Sequence, residues 1–379
     1  MKSNHFDVIV VGAGPAGATA AFELANAGAK TLLIEKQKLP RHKTCGGGVT
    51  YKVAQALRCD LSSVVERTIT EVVLTFKMGP PRVLVSPDPI VYMVRRSEFD
   101  NLLTQRAVAS GARLLDDTGV LDVSAERCQT VSTARGLFTA DFVIGADGAT
   151  GVTARALGLM SDRVLLPAVE HEVEISRQAA GYWSNKMSLD LGTLRASYGW
   201  IFPKADHLNV GVGGFGPHAD FARYLKRYDR EHLRRHVPDR ARLRKTFGSV
   251  LPLRRKNAPI QKDRAMLIGD AAGLVEALTG EGIYYAVRSG QICARAILTN
   301  AYPDYETQIG QELMPDLLTA RQSAAFYRWL PRLCYLCALY WPGAWQILCD
   351  VLRGEYRFRE VNRHLGLLGW LLDLLPAYA

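Results

Sequence analysis

One hexapeptide restricts what this chain can fold into more than any other feature: Gly12-Ala13-Gly14-Pro15-Ala16-Gly17. It follows an apolar run, Phe6 to Val11, that reads as a buried strand. It opens a small-residue run, Ala16 to Gly28, that reads as a helix, and Lys30 to Glu35 reads as a second strand. Strand, glycine turn, helix and strand make a βαβ unit of about 30 residues. Gly12 permits the tight turn, Gly14 lets a pyrophosphate approach the backbone, and Gly17 lets helix and strand pack closely. The positive helix start favours phosphate charge. Glu35 ends the second strand 18 residues after Gly17 and suits a pair of ribose hydroxyls rather than a 2′-phosphate. The unit predicts a dinucleotide site; a purely structural glycine turn is the bland alternative.

Two more turns follow predicted strands. Gly145-Ala146-Asp147-Gly148 ends the run Phe138 to Ile144, and Gly269-Asp270-Ala271-Ala272-Gly273 ends Ala265 to Ile268. Thr279-Gly280-Glu281-Gly282-Ile283 then opens a helix predicted over Ile283 to Leu298. Ile69 to Phe76, Arg82 to Ser86 and Val91 to Val94 are short β-type runs separated by Gly/Pro turns. Ser97 is read as the cap of a helix ending near Gly111. Arg113 to Asp116 and Val120 to Ser124 read as strands, and Val164 to Gly214 is mostly β in character. Phe221, Tyr224, Leu225 and Tyr228 recur at helical spacing. From Leu313 onward the chain reads as helical. With 379 residues, about two domains and an extension are expected.

The order and spacing of these turns resemble the FAD-dependent para-hydroxybenzoate hydroxylase-like superfamily. Its GxGxxG, DG and GD motifs match Gly12 to Gly17, Asp147-Gly148 and Gly269-Asp270 over a likeness spanning about residues 5–300. Its Arg-x-x-Phe-Asp signature is present as Arg96-Ser97-Glu98-Phe99-Asp100. Within that superfamily the chain is most similar to the geranylgeranyl reductase family. Lys43-Thr44-Cys45-Gly46-Gly47-Gly48-Val49 is like the family's Cys-Gly-Gly loop beside the flavin. Tyr198-Gly199-Trp200-Ile201-Phe202-Pro203, followed by Asn209-Val210-Gly211-Val212-Gly213, is similar to the PxxYxWxFP signature that shapes the lipid site. Arg195 stands where that signature begins with Pro. The loop also reads Cys-Gly-Gly-Gly-Val rather than the Cys-Gly-Gly-Ala-Ile-Pro of the chlorophyll-pathway branch, which points away from chlorophyll-type substrates.

The resemblance implies an α/β (α+β overall) chain. A Rossmann-type FAD-binding domain (1–65, 95–160 and 255–305) is interleaved with an antiparallel β-sheet substrate domain (66–94 and 161–254). A helical C-terminal extension (306–379) follows. It implies FAD as cofactor, with NADPH or another reductant as electron donor. The residues implied to hold FAD are Gly12, Gly14, Pro15, Ala16, Gly17, Glu35, Lys36, Arg41, Cys45, Gly46, Gly47, Arg96, Val120, Asp147, Gly148, Gly269, Asp270, Gly280, Gly282 and Ile283. An Asp in the later turns can bind ribityl or ribose hydroxyls, and the backbone near Val120 is expected at the adenine. The helix opened by Gly280 to Ile283 can stabilise negative charge on a reduced flavin.

The implied activity is saturation of isolated C=C bonds in a prenyl chain carried on a diphosphate, a quinone or an isoprenoid lipid. Hydride comes from flavin N5 and a proton goes to the neighbouring carbon. An unactivated alkene makes close positioning essential. Tyr198, Trp200 and Phe202 alternate and so share one face of a strand; with Pro203 they are the candidate substrate wall, ordinary sheet packing being the alternative. Cys45 either donates the proton or shapes the loop. Arg41 and Lys43 either offset phosphate charge or are solvated. A flavin-dependent monooxygenase or hydroxylase of an apolar substrate is the competing reading, and a non-catalytic flavoprotein a third.

Charge narrows the partners. The net charge is +10, and ten Lys/Arg fall between Arg223 and Lys245 against Asp229, Glu231 and Asp239. The helical spacing there places the cluster on an amphipathic helix, either solvated or, around Arg234 and Arg235, turned to anions. A prenyl lipid and peripheral contact with an anionic membrane are the expected partners. Nucleic acid is not, since no recognition module is visible. A monomer is expected, cytoplasmic or peripheral on the inner face of a membrane. Leucine-rich Leu365 to Leu375 suits an interfacial helix, packing on the body or a dimer contact. Leu333 to Cys349 is uncharged for 17 residues, but Pro342-Gly343 interrupts it. No metal is implied: Cys334-x-x-Cys337 has no second ligand pair, and packing explains it. His42, His171 and His207 are isolated and read as structural.

Overall fold

Four turns that carry the sequence motifs lie at the carboxyl ends of neighbouring parallel strands. The computed structural model describes residues 4–125, 128–216, 218–228, 230–231, 242–255, 258–364 and 369. Its first sheet runs Ala265–Leu267, Gly136–Gly145, His5–Val11, Thr31–Ile34 and Arg113–Leu115, all parallel. Gln261–Lys262 closes one edge, and Gln129–Thr133 with Val120–Ser124 extends Gly136–Gly145 as an antiparallel hairpin. The central strand has neighbours reached by the chain in opposite directions, and such a switch point leaves a crevice at the strand ends. Gly12, Glu35, Ala146 and Gly269 all sit on that rim.

Helix Pro15–Asn26 packs on this sheet through Ala16, Ala20 and Ala21, all buried. Small residues allow a close crossing with Ile283–Leu298: a Cβ on Gly290 would lie 2.6 Å from the Ala16 carbonyl. Helix Arg96–Ala109 starts one residue before Ser97, with Arg95 at the cap position and no side-chain capping bond. Ser97 therefore lies in the first turn and is not the cap, because Arg96 is drawn inward by Asp100.

The second sheet has seven strands in the order Arg242–Arg254, Arg163–Glu174, His207–Gly214, Ser197–Pro203, Lys186–Leu191, Glu71–Phe76 and Arg82–Val85. It is antiparallel except where Lys186–Leu191 pairs in parallel with Glu71–Phe76, the point where chain from before the helix Arg96–Ala109 is spliced in. The segment 66–94 divides. Val91–Val94 leaves the large sheet and joins Val65–Ile69 and Gly48–Thr50 in a three-stranded sheet. That pairing fixes the end of the Cys45 loop. Within 164–214, a short helix, Arg177–Tyr182, interrupts the β-structure.

The basic cluster does not stay on one helix. Helix His218–Tyr228 buries Phe221, Tyr224, Leu225 and Tyr228 against the sheet, as their spacing predicts. Arg242–Arg254 is instead a long edge strand, so Arg242, Arg244 and Lys245 are strand residues. Arg234 and Arg235 lie outside the described residues, as does Leu365 to Leu375 apart from Gly369.

The C-terminal part is helical as predicted: Tyr305–Glu312, Met314–Trp329, Pro331–Tyr340, Pro342–Arg353 and Phe358–His364. The uncharged run breaks at Trp341, ahead of Pro342, into two short helices. Among the described residues no helix is long and apolar enough to cross a membrane. Tyr335 packs on Phe76, their rings 5.3 Å apart, and Trp345 joins the cluster of Val72, Met187 and Phe202. The two helices thus roof the sheet face that carries Phe202.

Candidate active site

The glycine turn is built as its spacing requires. Gly12 has φ +104°, and a Cβ there would meet the Ala146 carbonyl at 2.4 Å; one on Gly17 would meet the Gly12 carbonyl at 1.9 Å. Both clashes are with backbone, so no side chain fits. The turn of Asp147-Gly148 is pressed against Gly12, and Gly269 lies where a Cβ would be 2.9 Å from Ala16. Three motifs remote in sequence therefore share one pocket rim. Helix Pro15–Asn26 carries no side-chain cap and no acid in its first turn, so its positive end is open to an anion.

Arg41 lies over this turn. Its guanidinium is the nearest group to Gly14, 3.9 Å from a Cβ built there. It bridges Glu35 at 3.2 Å and Asp100 at 3.0 Å. Glu35 also accepts the Ala13 amide at 3.0 Å. Thr118 N donates to the Glu35 carbonyl, which brings the start of the Val120 strand beside it. Lys36 is exposed immediately after.

Arg96 pairs with fully buried Asp100 through two bonds of 2.8 and 2.9 Å. Burial opposes the Arg96 charge, but Asp100 and Cys45 outweigh it and push the pKa up. Arg96 also holds the Cys45 side chain. The Cys45 amide donates to Glu170 at 3.0 Å, and its sulfur accepts the Gly47 amide at 3.4 Å. Glu170 is bonded by Asn209, and Asn209 Oδ1 accepts Trp200 Nε1 at 2.8 Å. Burial raises the Glu170 pKa. A chain of hydrogen bonds and ion pairs thus runs from the glycine turn through Glu35, Arg41, Asp100, Arg96, Cys45, Glu170 and Asn209 to Trp200.

Tyr198, Trp200 and Phe202 share a face of Ser197–Pro203. Neighbouring rings stand 5.9 and 6.0 Å apart. Trp200 lies against Gly211, where a Cβ would be 2.1 Å from the indole, so the glycines of the adjacent strand make room for it. Phe202 covers Gly46, leaving only 2.7 Å for a Cβ, and touches the space beside Gly48. At the other end the Tyr198 hydroxyl donates to the Thr279 carbonyl, next to Gly280. Burial pushes that hydroxyl's pKa up, so it stays a donor. The aromatic face is therefore tied to both loops that flank the crevice. Pro203 is buried at the strand's end.

Two ionic features were not legible in the sequence. Lys204 is buried behind the loop and donates to the Gly46 carbonyl at 2.8 Å. Glu281 accepts Thr50 Oγ1 at 2.5 Å and pairs with buried Lys52 at 2.6 Å, pinning the Gly280–Gly282 turn to the end of the Cys45 loop. Only the adjacency of Lys204 to Pro203, and of Glu281 to its two glycines, hinted at either. Asp270 lies in this turn region, its Oδ1 3.3 Å from a Cβ on Gly282. Asp147 faces helix Val152–Ala156 instead, accepting Thr153 N and Oγ1 at 2.9 Å. The backbone amides of Asp147 and Val152 also bear on this carboxylate, and burial raises its pKa.

The histidines lie apart: His171 bonds Thr246, His207 bonds Asp206, and His42 stacks on Phe247.

An uncapped helix start, glycines with no room for Cβ and a guanidinium over Gly14 fit FAD. The family described as FAD binding domain matches residues 5–298. Geranylgeranyl diphosphate reductase of Nicotiana tabacum is 31% identical, over 79% of this chain and 67% of that protein. The chain belongs to the geranylgeranyl reductase family of FAD-dependent oxidoreductases. Digeranylgeranylglycerophospholipid reductase of Methanothrix thermoacetophila is also 31% identical, over 77% of each chain. A geranylgeranyl bacteriochlorophyll reductase-like protein from Thermoplasma acidophilum shares the fold, with TM-score 0.74, 24% identity and coverage of 98% and 99%. This family member is thus an FAD-binding α/β enzyme with a helical C-terminal part.

Proposed function

We propose that this enzyme saturates isolated C=C bonds of a prenyl chain carried on a diphosphate, a quinone or an isoprenoid lipid. NADPH or another reductant supplies the electrons. The observation that carries this reading is the tie of the Tyr198, Trp200 and Phe202 face to both crevice loops, at Thr279 and at Gly46. Bound FAD, once reduced, supplies the hydride. The chain's own residues do the rest. Helix Pro15–Asn26, Arg41 and Gly14 hold the pyrophosphate, and Glu35 the ribose. Asp270 and the start of Ile283–Leu298 face the flavin end. The aromatic face lays the apolar chain against the crevice and excludes water, which an unactivated alkene needs for productive approach. Cys45, held by Arg96 and Gly47, is the proposed proton donor. Relatives named for reduction of geranylgeranyl diphosphate and of an archaeal phospholipid support the substrate class.

The test is to reduce the flavoprotein anaerobically, add a panel of prenyl lipids and follow flavin reoxidation together with product mass. A gain of two hydrogens without oxygen supports the reductase. An oxygen-dependent reaction that adds an oxygen atom assigns a hydroxylase instead.

A further inference from the structure

Helix Pro331–Tyr340 buries none of its residues. On its inner side Tyr335 meets Phe76 of the sheet face that also bears the aromatic wall. Its outer side, with the residues at its two ends, exposes Trp329 (67%), Leu330, Leu333, Leu336, Tyr340 (71%) and Trp341. Monomer surfaces seldom leave so many large apolar side chains together. The adjacent edge strand adds Val83 and Val85, both more than half exposed, and Trp345 donates to the Val85 carbonyl between them.

The surroundings indicate what covers this face. From 322 to 349 only two residues are charged, Arg328 and Arg332, and both are exposed cations. Arg82 acts on Tyr335, and Arg195 lies 4.7 Å over the Trp329 ring. Four arginines rim an apolar strip whose own residues, 322 to 349, include no acid; Asp220, which lines a cavity with Arg195 and Arg328, is paired with Arg223. Trp and Tyr stand at the strip's ends, the positions such side chains take at a lipid–water boundary. At ten residues the helix is too short to span a bilayer and suits one lying in its plane.

We propose that Trp329 to Trp341 docks this enzyme on an anionic lipid bilayer, with the helix Pro331–Tyr340 flat at the headgroup level. Arg82, Arg195, Arg328 and Arg332 contact lipid phosphates. Docked in this way, the protein sets the roof of the aromatic face against the bilayer, so a prenyl lipid reaches Tyr198 to Phe202 without crossing water. This last consequence rests on the prenyl-lipid reading above; the docking itself does not.

The test uses the full, FAD-loaded chain and flotation with phosphatidylglycerol-containing vesicles, against pure phosphatidylcholine. Wild type floats with the anionic vesicles, and bromolipids quench its tryptophan fluorescence. R328Q/R332Q weakens binding to anionic vesicles by roughly 30-fold, each cation near the surface counting about fivefold. W329S/L333S/L336S loses about tenfold or more on the same vesicles while keeping its flavin content and melting temperature. A triple variant that floats like wild type overturns the proposal, whether Leu365 to Leu375 or another segment then accounts for binding. So does light scattering showing a dimer that the triple variant dissolves with flotation unchanged. Wild type that floats yet reduces no prenyl lipid leaves docking intact and removes only the functional reading.

Discussion

Lys204→Met tests whether a buried ammonium holds the Cys45 loop. The Lys204 side chain is 3% exposed, and burial brings its pKa down from 10.5 to about 8. At 1.36 kcal/mol per unit, the protonated form carries a penalty of about 3 kcal/mol in the folded state. Below pH 8 both folded and unfolded chains are protonated, and the whole penalty is felt. Between 8 and 10.5 the unfolded chain binds more protons, so stability rises with pH; above that the penalty is gone. Methionine removes it at every pH. The variant also leaves the Gly46 carbonyl unpaired, at a cost of about 1–3 kcal/mol, whereas the Gly47 carbonyl keeps the Val94 amide at 2.9 Å. The two effects nearly offset at pH 7. By pH 10 most of the first is gone, so wild type gains about 2–3 kcal/mol on the variant relative to pH 7. Urea denaturation followed by circular dichroism at pH 7, 8.5 and 10 measures this, and titrating groups that do not interact with Lys204 cancel in the difference. A wild type–variant difference that stays flat across this range refutes the reasoning.

Four further outcomes are expected. Trp200→Ala raises KM for long prenyl substrates by roughly tenfold with little change for NADPH; steady-state kinetics showing equal effects on both would count against the wall. Cys45→Ser lowers turnover with flavin content unchanged, and normal turnover confines Cys45 to shaping the loop. Gly17→Ala forces a methyl onto the Gly12 carbonyl, so the purified protein loses FAD, read from its visible absorbance, and about 1–3 kcal/mol of stability. Glu281→Gln strips the partner from buried Lys52 and costs about 3–5 kcal/mol in urea melts; a change below about 1 kcal/mol would show the pair to be solvated.

Much of this protein was legible before any tertiary contact was known. Gly12, Gly14 and Gly17 announce themselves because a tight turn and a close helix–strand approach admit no side chain, and that demand is local. Tyr198, Trp200 and Phe202 were placed on one face by the two-residue period of a strand, which is equally local. Phe221 to Tyr228 followed from helical spacing in the same way.

What the folded chain alone decided depends on residues far apart in sequence. The Cys45 amide meets Glu170 across 125 positions, and Tyr198 meets Thr279 across 81. No periodicity links such pairs; they meet because Gly48–Thr50 is drawn into a sheet with Val91–Val94 and the seven-stranded sheet stacks beside it. The basic cluster split between helix and strand for a related reason: Arg242–Arg254 pairs along the full length of Arg163–Glu174, and that ladder overrides local charge pattern. The hexapeptide itself determined a tight turn and helix start of the kind that suits a dinucleotide. Only the tertiary structure, by running one chain of hydrogen bonds and ion pairs from Ala13 to Trp200, joined that turn to the aromatic face.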